Sequence, residues 1–129
     1  MLKSLSVKLV LTGLLTVLFL SPVILQARDT GNAGFKTIGL TEMPSQGVET
    51  YRLIHQGGPF PHEKDGVVFG NRERLLPAYK RGYYREYTVD TLGARNRGGK
   101  RIVCGGQTKT PVTCYYTADH YASFRVIVP

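Results

Sequence analysis

The stretch Gly82-Tyr83-Tyr84-Arg85-Glu86-Tyr87-Thr88-Val89 is rich in aromatic and β-branched residues. Such side chains fit a pleated, half-buried surface, so residues 83–89 read as a strand. Glu86 stands in the middle of it, where a carboxylate is unfavourable unless it faces water or has a partner. Outward from this run the chain keeps the same character. Gly66-Val67-Val68-Phe69 reads as a short strand that ends in a turn at Gly70-Asn71. Lys100 to Cys104, Thr113 to Thr117 and Ser123 to Val128 read as three more. Turn signals at Gly93, Gly98-Gly99, Gly105-Gly106 and Ala118-Asp119 separate them.

Before the strands the period changes. Pro44-Ser45 has the character of a helix start, and Val48, Tyr51, Ile54 and His55 fall on one helical stripe. Gly57-Gly58-Pro59 must end that helix, while Gly47 near its start weakens it. One helix followed by consecutive strands with short connections predicts an α+β fold. In it, one short helix packs on an antiparallel β-sheet in a single domain spanning 40–129. Arg28 to Lys36 shows no periodicity, and residues 28–39 are expected to form a flexible N-terminal arm.

Length and charge narrow the function classes. The 129 residues carry 17 Lys and Arg against 9 Asp and Glu, a net charge of +8. That length leaves no room for two independent cores, and a hydrophobic fraction of 42% excludes a disordered basic tail. The basic balance implies a polyanionic partner, either nucleic acid or an anionic membrane surface. Lys3 and Lys8 precede an apolar stretch from Leu9 to Leu20, then Ser21-Pro22 and the small residue Ala27. This pattern predicts a signal peptide over 1–27, cleaved after Ala27, and a secreted product with no stable membrane association; the rival reading is an uncleaved anchor. Residues 28–129 keep 15 basic against nine acidic side chains, so the excess of +6 belongs to the mature part.

Cys104 and Cys114 bracket a Gly-, Thr- and Pro-containing loop between β-branched flanks. In an exported chain an even count points to a disulfide; the alternative is two reduced thiols. No further Cys or His is spaced to complete a zinc site with them.

The chemistry must rest on side chains. The sequence contains no Gly-rich phosphate loop with Lys-Ser/Thr, no His-Glu-x-x-His and no acidic cluster suited to a divalent metal. No cofactor and no metal is therefore expected. Phosphoryl chemistry would then need a base, an acid and fixed cations around the phosphoryl oxygens. Glu86 offers a base. Arg95, Arg97, Lys100 and Arg101 cluster across a turn where Gly98 and Gly99 allow close approach. His120, after Asp119 and before Tyr121, offers an acid. Each has an ordinary reading as a solvated strand, charge run or loop residue. In Phe69-Gly70-Asn71-Arg72-Glu73, a turn after a strand presents backbone N–H groups. Its carboxylate could accept two hydrogen bonds from the N1–H and exocyclic amine of guanine. Alone, that pentapeptide is equally an ordinary polar turn.

Taken in order, these segments resemble the microbial guanyl-specific ribonucleases, the bacterial branch with the barnase-type and small streptomycete enzymes. The resemblance lies in Gly58-Pro59-Phe60-Pro61, Asp65-Gly66-Val67-Val68-Phe69, Asn71-Arg72-Glu73 with Leu76-Pro77, and Gly82 to Val89. It continues through Gly93-Ala94-Arg95-Asn96-Arg97-Gly98 and Tyr115 to Phe124, covering about residues 40–128. It implies a guanyl-specific endoribonuclease with Glu86 as general base, His120 as general acid, and Arg97 and Arg101 holding the phosphate. Phe69, Asn71, Arg72 and Glu73 would bind the guanine, with Tyr121 nearby. The implied reaction is metal-free transesterification of single-stranded RNA through a 2′,3′-cyclic phosphate, then hydrolysis to a 3′-phosphate. A carboxylate base paired with an imidazolium acid predicts a bell-shaped pH dependence. Gly70 stands where relatives carry a side chain, which implies a looser recognition loop. The family also implies a monomer and a small acidic, barstar-like protein inhibitor. The alternatives are a non-catalytic RNA-binding domain of the same fold, or the same ribonuclease used as an antibacterial toxin.

Overall fold

The computed structural model describes residues 34–129, so the expected signal peptide and the start of the arm lie outside the described residues. The elements are β1 (Thr37–Gly39), α1 (Ser45–Gln56), β2 (Val67–Val68), β3 (Tyr84–Thr88), β4 (Arg101–Gly106), β5 (Pro111–Thr117) and β6 (Arg125–Val128). The strands form one sheet in the order β1-β6-β5-β4-β3-β2.

The helix starts and stops where its chemistry requires. Pro44 precedes the first turn, and the backbone N–H groups of Gly47 and Val48 donate to its carbonyl at 2.8 and 3.1 Å. At the far end Gly57 adopts a left-handed conformation (φ 83°), and the N–H groups of Gly57 and Gly58 close on Ile54 and Leu53 carbonyls. Ile54 is fully buried, Val48 and Tyr51 pack around the same core, and His55 lies exposed. Thr50, absent from the apolar stripe, is buried as well. Its hydroxyl lies 3.1 Å from the carbonyls of Gln46 and Thr88, which ties α1 to β3 and satisfies a polar group in the core.

The α+β fold is as expected, with one boundary to correct and one detail to add. The arm does not extend to residue 39: β1 pairs in parallel with β6 through Thr37↔Val126 and Ile38↔Ile127. Ile38 is 1% exposed, and Phe35 packs on Tyr115 with ring centroids 5.3 Å apart. The apolar side chains of Phe35 and Ile38 drive this segment onto the sheet. For the same reason the sheet is mixed, antiparallel everywhere except at the β1–β6 pair.

Directly opposite residues in an antiparallel pair project to the same face, so register divides the sheet cleanly. Tyr87, Ile102, Cys104, Cys114, Tyr116 and Ile127 form the core under the helix with Met43 and Ile54. Tyr84, Val103, Tyr115, Phe124 and Leu76 form a second core on the other face. Each fully buried aliphatic side chain contributes roughly 1.5–3 kcal/mol. Cys104 and Cys114 are register partners, 4.1 Å apart at Cα, and form the expected disulfide on the helix side. Closing so short a loop contributes roughly 3 kcal/mol on the chain-entropy view. The helix and the disulfide thus lie on one face of the sheet, while on the other the second core shares the surface with polar groups.

Candidate active site

On that opposite face, Glu86 pairs in register with Val103, and Thr88 with Arg101. Glu86 is the mid-strand carboxylate that needed a partner, and it has two. The Tyr121 hydroxyl donates to its Oε2 at 2.9 Å, and Arg97 Nη2 lies 3.5 Å from its Oε1. Arg97 is itself oriented, since its Nε and Nη2 donate to Thr88 Oγ1 at 3.1 and 2.7 Å. Arg101 is 2% exposed. Its Nη1 donates to the carbonyls of Lys100 and Arg97 at 2.7 and 3.3 Å. Its Nε has no partner, and among the described residues it makes no ion pair. A buried guanidinium with a free N–H and no carboxylate is unfavourable unless an anion docks beside it.

His120 is held by a hydrogen-bonded turn. The Asp119 carboxylate accepts from Thr117 Oγ1 (2.8 Å), Ser123 N (2.9 Å) and Ser123 Oγ (2.5 Å). These bonds, the Ser123 hydroxyl first among them, lower the Asp119 pKa below its ordinary value. The backbone N–H of His120 donates to Gly99 O at 2.9 Å, and that of Tyr121 to Thr117 Oγ1 at 3.1 Å. A Cβ on Gly99 would stand 3.3 Å from the His120 nitrogen, so the close crossing of the two loops favours glycine there. His120 and Tyr121 both have positive φ, 53° and 69°. Successive non-glycine residues in that region are strained by about 1–3 kcal/mol each and persist only when neighbours over-determine them. The turn leaves His120 exposed beside a shallow cleft lined by Arg97, Gly98, Gly99 and Arg101.

Next to this cleft lies a pocket of about 650 Å³ lined by Phe69 to Glu73, Leu75, His120, Tyr121, Ala122 and Phe124. Phe69 and Tyr121 stack at 5.0 Å between centroids, and Phe124 meets Phe69 edge-on at 6.0 Å. Asn71 turns the wall of this pocket with φ 50°. Its Nδ2 donates to Leu76 O at 2.9 Å and its Oδ1 accepts from Leu76 N at 3.1 Å. The Asn71 amide is therefore a loop clamp rather than a ligand-facing group. Arg72 and Glu73 are exposed on the rim. Gly70 is exposed too, and a Cβ there would meet only Arg72 at 3.6 Å, so the space accepts a side chain.

Burial and the neighbouring carboxylate raise the Tyr121 pKa to about 12, burial being the larger cause. The phenol is thus favoured in its neutral form. The stability this gives is complete below the ordinary phenol value near 10 and is lost as pH rises through about 12. Replacing Glu86 by Gln removes the negative charge and should lower the Tyr121 midpoint. Spectrophotometric titration, with Tyr121→Phe subtracted to isolate this phenol, measures the change. An unmoved midpoint would show that the hydroxyl does not sit on the carboxylate.

All the anticipated groups therefore meet on one face: Arg97, Arg101 and His120 at the cleft, Phe69, Asn71, Arg72, Glu73 and Tyr121 at the pocket, and Glu86 between them through Arg97 and Tyr121. His62 does not join them. Its Nε2 pairs with Asp90 Oδ1 at 2.6 Å, and His55 Nδ1 bonds the Tyr51 carbonyl. Thr88, Thr117, Asp119 and Ser123 escaped sequence reasoning. They orient functional groups without carrying chemistry, and only Asp119, beside His120, had any local signal. Among the described residues no three His, Cys, Asp or Glu side chains gather to hold a metal ion.

A helix-backed sheet that carries a carboxylate, a histidine and two arginines beside an aromatic pocket brings together what acid–base chemistry on a phosphodiester requires. The ribonuclease family model matches residues 26–128, and the chain belongs to that family. It is 54% identical over 96 residues to guanyl-specific ribonuclease Sa3 of Kitasatospora aureofaciens, covering 72% of this chain and 66% of the relative. It is 50% identical over 91 residues to guanyl-specific ribonuclease Sa of the same organism, covering 70% and 92%. Among solved structures it resembles ribonuclease Sa2 with guanosine-2'-cyclophosphate, at 44% identity and a TM-score of 0.66. That match covers 74% of this chain and 97% of the other.

Proposed function

We propose that the mature chain is a secreted guanyl-specific endoribonuclease that cleaves single-stranded RNA on the 3′ side of guanosine. Glu86 takes the proton from the ribose 2′-OH, and the 2′-oxygen forms a bond to phosphorus as the bond to the 5′-oxygen breaks. His120 gives its proton to that leaving oxygen, and the product is a 2′,3′-cyclic phosphate. In the second step the roles reverse: His120 takes a proton from water, Glu86 returns one to the 2′-oxygen, and a 3′-phosphate remains. Arg97 and Arg101 offset the charge that builds on the phosphoryl oxygens. The guanine stacks on Phe69, and Glu73 accepts from its N1–H and amine. Arg72 adds a cation beside the phosphate path.

The observation that carries this reading is Arg101: a buried guanidinium with an unpaired N–H, beside a carboxylate that holds a Tyr hydroxyl. A phosphodiester is the anion that satisfies the first, and its adjacent 2′-OH is the proton donor for the second. Similarity to ribonuclease Sa2, whose structures contain guanosine-2'-cyclophosphate and 3'-GMP, supports the same chemistry. The N-terminal leader pattern supports export. The excess of basic side chains supports inhibition by an acidic, barstar-like protein.

Purified mature protein with defined RNAs in EDTA should cleave after G and yield the cyclic phosphate first. Absence of cleavage, or a requirement for metal, overturns the proposal. In the same assay Glu73→Ala removes hydrogen bonds to a charged acceptor, about 1.5–3 kcal/mol, or roughly 10- to 100-fold in kcat/KM on guanosine substrates. Cleavage after adenosine should change little. An equal loss on both bases would remove Glu73 from guanine recognition.

A further inference from the structure

Beyond the guanine pocket the catalytic face continues into a feature the reaction does not use. Tyr79 stacks on Tyr83, with ring centroids 3.9 Å apart and planes 14° from parallel, and meets Tyr84 edge-on at 6.1 Å. The pair is firmly seated. The Tyr84 hydroxyl donates to Pro77 O at 2.6 Å, and the Tyr83 N–H donates to Lys80 O at 3.1 Å. A Cβ on Gly105 would stand 2.3 Å from the Tyr83 ring, so glycine is what lets that ring lie over β4. Gly105 is the register partner of Tyr84, which fixes the stack on the same face as Glu86. Yet Tyr79 is 56% exposed, an uncommon position for a ring so well supported from beneath. Lys80 and Arg81 follow it, both exposed, and residues 74–85 contain no acidic side chain.

Exposed aromatic faces flanked by cations are how proteins hold unpaired nucleotides: each base offers a π-face, and the cations track the phosphates. Direction follows from the sheet. Tyr84 lies two residues, about 7 Å, from Glu86 along β3, away from Thr88, whose register partner is Arg101. The His120 cleft, where the leaving oxygen departs, includes Arg101 and so lies at the opposite end. Phe69, the wall of the guanine pocket, bonds to the Tyr84 carbonyl and stands between the two. We infer that Tyr79 is a base-stacking subsite for a nucleotide on the 5′ side of the cleaved guanosine, with Lys80 and Arg81 attracting its phosphates. The inference rests on the ribonuclease reading above.

The test compares the dinucleotide GpC with ApApGpC and GpCpApA in the wild-type protein and in Tyr79→Ala. Wild type should cleave ApApGpC with a higher kcat/KM than GpC. Tyr79→Ala should reduce cleavage of ApApGpC by about tenfold, leave GpC unchanged, and be rescued by Tyr79→Phe. The double variant Lys80→Gln/Arg81→Gln should flatten the salt dependence on ApApGpC alone. Equal losses on GpC and ApApGpC would make Tyr79 structural and overturn the subsite. An advantage that follows the 3′ extension, or none at all, overturns it as well. Cleavage of GpC by the wild-type protein reports on the ribonuclease reading separately, so the two cannot fail indistinguishably.

Discussion

Glu86→Gln and His120→Ala should each lower kcat by about 10²–10⁴-fold, while RNA affinity and folding stability change little. Gln keeps the size of Glu and can still accept from Tyr121, so the pocket stays filled; what is lost is the proton acceptor, together with the charge that faces Arg97. His120 is exposed and its side chain supports no core, so truncation there removes the acid without opening a cavity. The two effects should not multiply. Acid and base serve one transition state, and when either is missing the other has less to assist. Measuring kcat, RNA binding and Tm on both single variants and the double decides the matter. Full activity in either single variant would void that residue's role.

The next largest effect is expected at Arg101. Arg101→Lys keeps one positive charge but loses the planar fork that can hold two phosphoryl oxygens at once. Removing one preorganised donor of this kind typically costs about 10²–10³-fold in kcat. The loss should appear in kcat more than in KM, because the phosphoryl oxygens bear most charge in the transition state. Folding gives the contrast. Arg101 makes no ion pair among the described residues; its replacement disturbs the two hydrogen bonds to the Lys100 and Arg97 carbonyls and the placement of its cation over the Tyr121 ring at 6.0 Å. Thermal unfolding should therefore show a modest change beside a large loss of rate. A loss of Tm in proportion to the loss of activity would mean that Arg101 is a structural residue.

How far the sequence disclosed this arrangement depended on whether the signal was local. The helix was legible because Val48, Tyr51 and Ile54 repeat at helical spacing and Gly57 stops it. Thr50 was not, since a buried threonine is explained only by the Thr88 carbonyl that faces it. The strand containing Glu86 announced itself through its aromatic and β-branched residues. β1 could not. Three residues paired in parallel with a strand near the other end of the chain leave no period to read. At the site, the chemistry-bearing side chains were legible as types in order. What positions them was not: Thr88 on Arg97, Thr117 and Ser123 around Asp119, and Leu76 clamping Asn71. Asn71 shows the limit most clearly. It lines the pocket as expected of that segment, but its amide is turned inward to hold the loop.

The Thr117–Ser123 turn has a consequence for how the molecule can change over time. Two neighbouring residues there, His120 and Tyr121, hold backbone angles that glycine or asparagine would adopt with less strain. A lineage selected for endurance alone would drift toward those residues and lose the imidazole, which in the proposed mechanism is the proton donor. A lineage selected for turnover must retain the strain and keep Thr117, Asp119 and Ser123 to contain it. The turn is thus where heat tolerance and catalytic competence select against one another, and hardening this protein without disarming it has to begin elsewhere.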